Sequence, residues 1–172
     1  MSALRLLNET TATSVSVVEV TDVFTDDFDI YKVEVLAEGT STSHWTSMRY
    51  LNTSGNAIST TNHLFNMYEL KSYGSYTENR STAGNKFNYL FIDDGSSSGV
   101  GFTMHIFNPA NALYWTQYIG ESEGHYSTSG VIATRTIGTL KEAVQLGGFQ
   151  LTRYTGSWDS ITIRTYGIRI DK

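Results

Sequence analysis

Histidine, aspartate and glutamate are the side chains here that could move a proton or hold a metal, and their spacing decides whether they do. His44, His63, His105 and His125 are scattered, and no His-Glu-x-x-His pair sets two imidazoles one helical turn apart for zinc. Cysteine is absent, which removes thiolate metal ligands, disulfides and a thiol nucleophile together and leaves the redox compartment open. A Gly-x-Ser-x-Gly nucleophile elbow is missing too. The paired carboxylates are Asp93-Asp94 and Glu121-x-Glu123, both beside glycine and serine. A glycosidase holds its acid and base about 5–9.5 Å apart across a cleft, and nothing in these spacings fixes such a gap. They read as solvated loop carboxylates. Gly99-Val-Gly101 precedes neither a lysine nor a helical pattern, so it is no phosphate loop. The expectation is a chain without catalytic residues, cofactor or metal.

Two groups of residues suit binding instead. Asp22, Asp26, Asp27 and Asp29 crowd one short segment, Thr21 to Asp29. They lack the Asp-x-Asp-x-Asp-Gly order and distal glutamate of an EF-hand, which leaves a solvated acidic loop, a docking loop or a calcium loop of another kind. Trp45, Trp115 and Trp158 could stack on sugar rings or pack in a core or between subunits. Thr155-Gly-Ser-Trp-Asp159 reads as a hairpin turn that exposes the Trp158 ring.

The elements that must position these groups are strands. Charged residues are 17% of 172, while serine and threonine fill 42 positions and aromatics reach 13%. Hydroxyls therefore replace much of the usual lysine and glutamate surface, and the β-branched and aromatic content favours a pleated sheet. Tyr31, Val33, Val35 and Ala37 alternate with polar residues, and so do Phe102, Met104 and Ile106 before Pro109. Leu113, Trp115 and Ile119 share one face of the next segment, and Val131, Ala133 and Ile137 continue the pattern. Phe149 with Leu151 and Ile161 with Ile163 follow, before the parity changes to Tyr166, Ile168 and Ile170. Val15, Val17, Val18 and Val20 shift parity midway, which predicts a bulge. One segment reads helical: Thr139-Leu-Lys-Glu142 fits a capping box and Gly147 supplies a stop. The spacing predicts an all-β, jelly-roll-like antiparallel sandwich over residues 15–172, at most one short helix, and a short N-terminal arm over 1–14.

Charge and hydropathy narrow the partners. The net charge is −5 and no basic stripe exists to release counterions, so nucleic acid is not expected. No apolar run approaches the ~20 residues of a membrane helix, and the first residues do not read as a secretory signal. Residues 1–40 hold eight carboxylates against Arg5 and Lys32, which concentrates the acidity near the arm. Leu4, Leu6 and Leu7 make an apolar patch on that arm, suited either to docking or to pairing as a first strand.

Three blocks resemble a family of tailed-bacteriophage virion proteins. Phe24-Thr-Asp-Asp-Phe-Asp-Ile-Tyr-Lys-Val-Glu-Val35 is similar to that family's aspartate-rich loop running into an early strand. Met48-Arg-Tyr-Leu-Asn-Thr-Ser-Gly-Asn56 is similar to its next strand and Ser-Gly turn. Gly148 to Arg169, with Arg153-Tyr-Thr-Gly-Ser-Trp158 and Tyr166-Gly-Ile168, resembles its terminal hairpin. The resemblance implies a jelly-roll-like structural protein of the capsid surface or tail, often trimeric. The expected function is therefore a decoration (cement) protein that binds the major capsid protein on the outer phage head. The alternative is a tail-fibre or receptor-binding module for a host glycan or protein. Leu4, Leu6, Leu7, Asp26, Asp27 and Trp158 are the expected partner contacts.

Overall fold

The structure, a computed structural model, describes residues 4–39, 44–93, 99–125 and 130–168. Twelve strands and no helix occur among them: β1 (Leu4–Val15), β2 (Val17–Val20), β3 (Ile30–Gly39), β4 (His44–Asn52), β5 (His63–Lys71), β6 (Thr77–Gly84), β7 (Ile92–Asp93), β8 (Val100–Phe107), β9 (Thr116–His125), β10 (Val131–Leu140), β11 (Leu146–Arg153) and β12 (Trp158–Ile168). They form two antiparallel sheets, an eight-stranded one ordered β1-β12-β3-β8-β9-β10-β5-β6 and a four-stranded one ordered β2-β11-β4-β7. The expected all-β antiparallel sandwich is what the chain builds. The path alternates between the sheets along β1 to β5 and again along β10 to β12, while β8, β9 and β10 run as a meander.

The core lies between the sheets, where alternation drives one face of each strand. Tyr31, Val33, Phe102, Met104, Ile106 and Ile161 come from the large sheet, and Tyr50, Phe149 and Leu151 from the small one. Phe87, from the segment after β6, bridges them: its ring centroid is 5.5 Å from Tyr50 and 4.9 Å from Tyr118, both edge-on. Edge-to-face rings add about 0.5–1.5 kcal/mol beyond their buried area.

Four sequence readings change. Val15 to Val20 holds no bulge. The chain bends at Ser14, whose φ is 56°, leaves the large sheet after Val15 and enters the small sheet at Val17. The parity shift is a change of sheet. Thr139 and Leu140 do not start a helix; they end β10, paired with Gln117 and Leu64 and with Thr116 and His63. Strand pairing on both sides outweighs the capping propensity, and Glu142 accepts hydrogen bonds from Thr60 Oγ1 and from Asn62 Nδ2 (2.8 Å) instead. After a register shift between Trp158 and Ser160, β12 keeps one parity from Ile161 onward. Its inner positions pass from Ile161 and Ile163 to Thr165 and Gly167 because Phe28 fills the space: a Cβ on Gly167 would lie 2.6 Å from that ring. Ile119, Val131, Ala133 and Ile137 face outward, since Gly138 and its inner neighbours leave room for Tyr118 and Phe87.

The stretch expected as an arm is the outermost strand of the large sheet. Leu4 to Val15 pairs with β12 from Ile168 back to Trp158. Its hydroxyl-rich alternation, Thr10 and Ala12 inward against Thr11 and Thr13 outward, is that of a half-buried strand. A register shift between Leu6 and Asn8 turns Leu7 toward the core, where it is partly buried.

Candidate functional site

The register of the large sheet brings Leu4 and Leu6 near the acidic loop. Leu4 pairs with Ile168, and Ile168 pairs with Ile30, the residue that follows Asp29. Two strand spacings, about 10 Å, therefore separate Leu4 from the loop's last position. Leu4 and Leu6 point outward with half of their surface open.

The loop is a fixed structure with charged tips. Val23, Phe24 and Phe28 are buried, whereas Asp22, Asp26, Asp27 and Asp29 are exposed. The Phe24 ring sits edge-on to Tyr31 at 4.8 Å. The Tyr31 hydroxyl accepts from Thr25 N at 2.8 Å and donates to Thr25 O at 2.7 Å. Burial raises the Tyr31 pKa, so this clasp stays protonated across the physiological range. Val23 N donates to Gly147 O at 3.0 Å, tying the loop to β11.

A third exposed feature shares this end. Asn108 N donates to Asp29 O at 2.7 Å, so the turn after β8 lies against the acidic loop. Leu113, Tyr114 and Trp115 in that turn are 80%, 58% and 47% exposed. Their apolar sequence read as a strand, but the chain turns through Asn111, whose Oδ1 accepts from Leu113 N at 2.9 Å, and β9 starts only at Thr116. Lys141 Nζ stands 5.6 Å from the Trp115 ring centroid, a cation–π contact that orients it. A hollow of about 430 Å³ between Asp26, Asp29, Asn108 and Gln145 separates the loop from this turn. The asparagine-rich turn was the available signal for the tip.

Other candidates fall elsewhere. Trp158 is fully buried, paired with Val15 and Gly39 at the opposite end of the sandwich, so its ring packs in the core and not on an exposed turn. Trp45 packs edge-on to Tyr89 at 5.2 Å. The four histidines stay apart on β4, β5, β8 and β9. Among the described residues no three His, Asp or Glu side chains converge as metal ligands would. The Asp93 side chain and Asp94 lie outside the described residues. Glu121 and Glu123 are exposed on the outer face of β9, beside a recess of about 820 Å³ that crosses the large sheet between Glu34 and Tyr68.

No protein-family model matches the chain. No curated protein matches it either. Among solved structures it is weakly similar to the galectin LEC-6 of Caenorhabditis elegans, with a TM-score of 0.38 and 8% identity over 95% of this chain and 96% of that one. An enzymatically active domain of tailspike protein 4 from bacteriophage CBA120 has a TM-score of 0.17 and 13% identity over 98% of this chain and 19% of that one. The VP2 subviral particle of infectious bursal disease virus has a TM-score of 0.16 and 8% identity over 99% of this chain and 41% of that one. These similarities are weak, and no family or function is assigned from them.

Proposed function

We propose that this chain is a non-enzymatic structural protein of a tailed-phage virion, a decoration protein that binds the outer head through the end carrying Leu4, Leu6 and the acidic loop. It acts as a homotrimer on the major capsid protein. The observation that carries this reading is the clustering of exposed leucines with rigidly held carboxylates and the Leu113–Trp115 tip. Apolar side chains ringed by fixed charge make a patch that gains by burial and selects a basic counterpart. The sequence blocks that resemble those of virion proteins supply the context. A receptor-binding role on the tail is the second reading, and the recess across the large sheet favours it.

Mixing the purified protein with undecorated phage heads tests the first reading. Saturable co-sedimentation and density on the outer shell with the Leu4 end facing inward are expected. Density confined to the tail, or a protein oriented with another surface on the shell, would overturn it.

A further inference from the structure

The recess on the large sheet sets an apolar wall beside a row of charged side chains. One register row runs Leu36, Gly101, Glu123, Ala133 and Leu70, and the adjacent row runs Glu34, Thr103, Glu121, Arg135 and Tyr68. Gly101 and Ala133 carry almost no side chain, which sinks the floor between taller neighbours. Tyr68, Leu70 and Tyr76 form an apolar wall, 46%, 63% and 71% exposed. Glu121 and Glu123 occupy alternate positions of one strand, both pointing outward and about 7 Å apart along it. Arg135 Nε lies 3.5 Å from Glu121 Oε1, with both side chains about two-thirds exposed.

These features choose among ligands. The lining holds Glu34, Glu121 and Glu123 against the single guanidinium of Arg135, so a polyanion is repelled. Glu34 is engaged by Lys32 Nζ at 2.7 Å and by the Tyr166 hydroxyl at 3.2 Å, whereas Glu123 has no hydrogen bond or ion pair among the described residues. A peptide adding as a strand needs a free sheet edge. β3, β8, β9, β10 and β5 are all interior strands, with neighbours on both sides. The volume of about 820 Å³ falls within the range of small-ligand sites, roughly 300–1,000 Å³. What fits is a molecule with a flat C–H face and a rim of hydroxyls.

We propose that this recess binds a neutral oligosaccharide, with a sugar face against Tyr68 and Tyr76 and its hydroxyls on Glu121, Glu123 and Arg135. The carboxylates accept from hydroxyl groups, the guanidinium donates to a ring or hydroxyl oxygen, and the tyrosine rings supply C–H contact. This inference rests on the recognition reading of the sheet face and is independent of head docking, which uses the Leu4 end.

Gly101 makes the site testable without disturbing the fold. A Cβ there meets nothing within 4 Å, and its φ lies outside the left-handed region. Gly101→Leu therefore fills the recess from its floor. The intact protein is screened on a printed array of neutral, amino and anionic oligosaccharides, and the strongest neutral glycan is titrated by calorimetry. Neutral glycans should bind saturably, and Gly101→Leu and Tyr76→Ala should each weaken binding about tenfold or more at an unchanged melting midpoint. Glu123→Gln should weaken it less, since the amide oxygen still accepts. Absence of neutral-glycan binding at millimolar concentration would overturn the proposal. So would a preference for sulfated or sialylated glycans, capture of a basic peptide that neutral glycans do not displace, or affinity that Gly101→Leu leaves unchanged. Heads decorated by a Gly101→Leu protein that no longer binds glycan would separate this site from the docking end.

Discussion

Replacing Leu4 and Leu6 together by serine probes the docking end while leaving the strand that carries them in place. Both side chains face outward from β1, and their backbone pairing with Ile168 and Tyr166 needs no leucine. They are 51% and 50% exposed, so about half of each surface remains for a partner to cover. Full burial of a leucine contributes ~1.5–3 kcal/mol, which leaves about 0.8–1.5 kcal/mol per residue and about 1.5–3 kcal/mol for the pair. Affinity of one chain for the head should then fall about ten- to 150-fold, and ordering costs at the contact reduce that range. The other half of each leucine is already covered by the fold, so the same arithmetic puts the loss of unfolding free energy at about 1.5–3 kcal/mol for the pair, and binding is compared well below both unfolding midpoints. Deleting residues 1–8 is a poorer probe, since it strips the partner strand from Tyr166 to Ile168 and changes the sandwich itself. The assay is co-sedimentation with undecorated heads across a protein titration at low and at physiological salt, with unfolding midpoints measured alongside. Wild-type occupancy by the double variant at both salt levels, with the fold intact, would refute the placement of docking at this end.

Charge at the same end gives a second expectation: Asp26→Asn with Asp27→Asn should weaken head binding at low salt, and the deficit should shrink as screening reaches ~8 Å at physiological ionic strength. Light scattering of the purified protein should give three times the 19.1 kDa chain mass; a monomer at micromolar concentration would refute trimerisation. Phe28→Ala should cost about 3–5 kcal/mol in urea unfolding, because it empties the space over Gly167 and frees the base of the acidic loop. His63 is buried and its pKa is lowered from 6.5 by desolvation, so the unfolded chain binds the proton more readily. Stability should therefore be fully present above about pH 6.5 and decline as pH falls toward the folded-state value. In His63→Gln the melting midpoint should lose that part of its slope between pH 7 and 5, and an unchanged slope would refute the assignment.

Much of the sandwich is legible where side chains themselves fill the core. Phe102, Met104 and Ile106 alternate inward as their spacing requires, as do Tyr31, Val33 and Val35. The pattern inverts where rings from elsewhere do the filling. In β10 the inner positions are Thr134, Thr136 and Gly138, and the outward ones include Ile137, because Tyr118 and Phe87 occupy the interior beside Gly138. Hydrophobicity within one strand cannot report a ring supplied by another. The Thr139–Glu142 signal failed for a related reason, as two neighbouring strands decide the fate of Thr139 and Leu140. At the Leu4 end the acidic loop was legible from composition, while its rigidity comes from Phe24, Phe28 and Tyr31 packing edge-on and from the bond of Val23 to Gly147, far along the chain. Trp158 read as a turn residue from its glycine and serine neighbours, yet it opens a strand held between Val15 and Gly39.

The pairing of β1 with β12 also sets an order of events during synthesis. Among the described residues β1 pairs with β12 alone, so Leu4 to Val15 must wait until Trp158 to Ile168 has left the ribosome. At 5–20 residues per second that wait is on the order of ten to thirty seconds. Throughout it β3 lacks one of its two partners as well, since β12 separates it from β1 in the finished sheet. The nascent chain thus carries an unpaired, strand-forming segment while residues 16–168 are made, with three leucines at one end. The run Asn8-Glu-Thr-Thr-Ala-Thr-Ser14 keeps the rest of that segment hydrated, and early release of a truncated chain would leave its edge open to other copies.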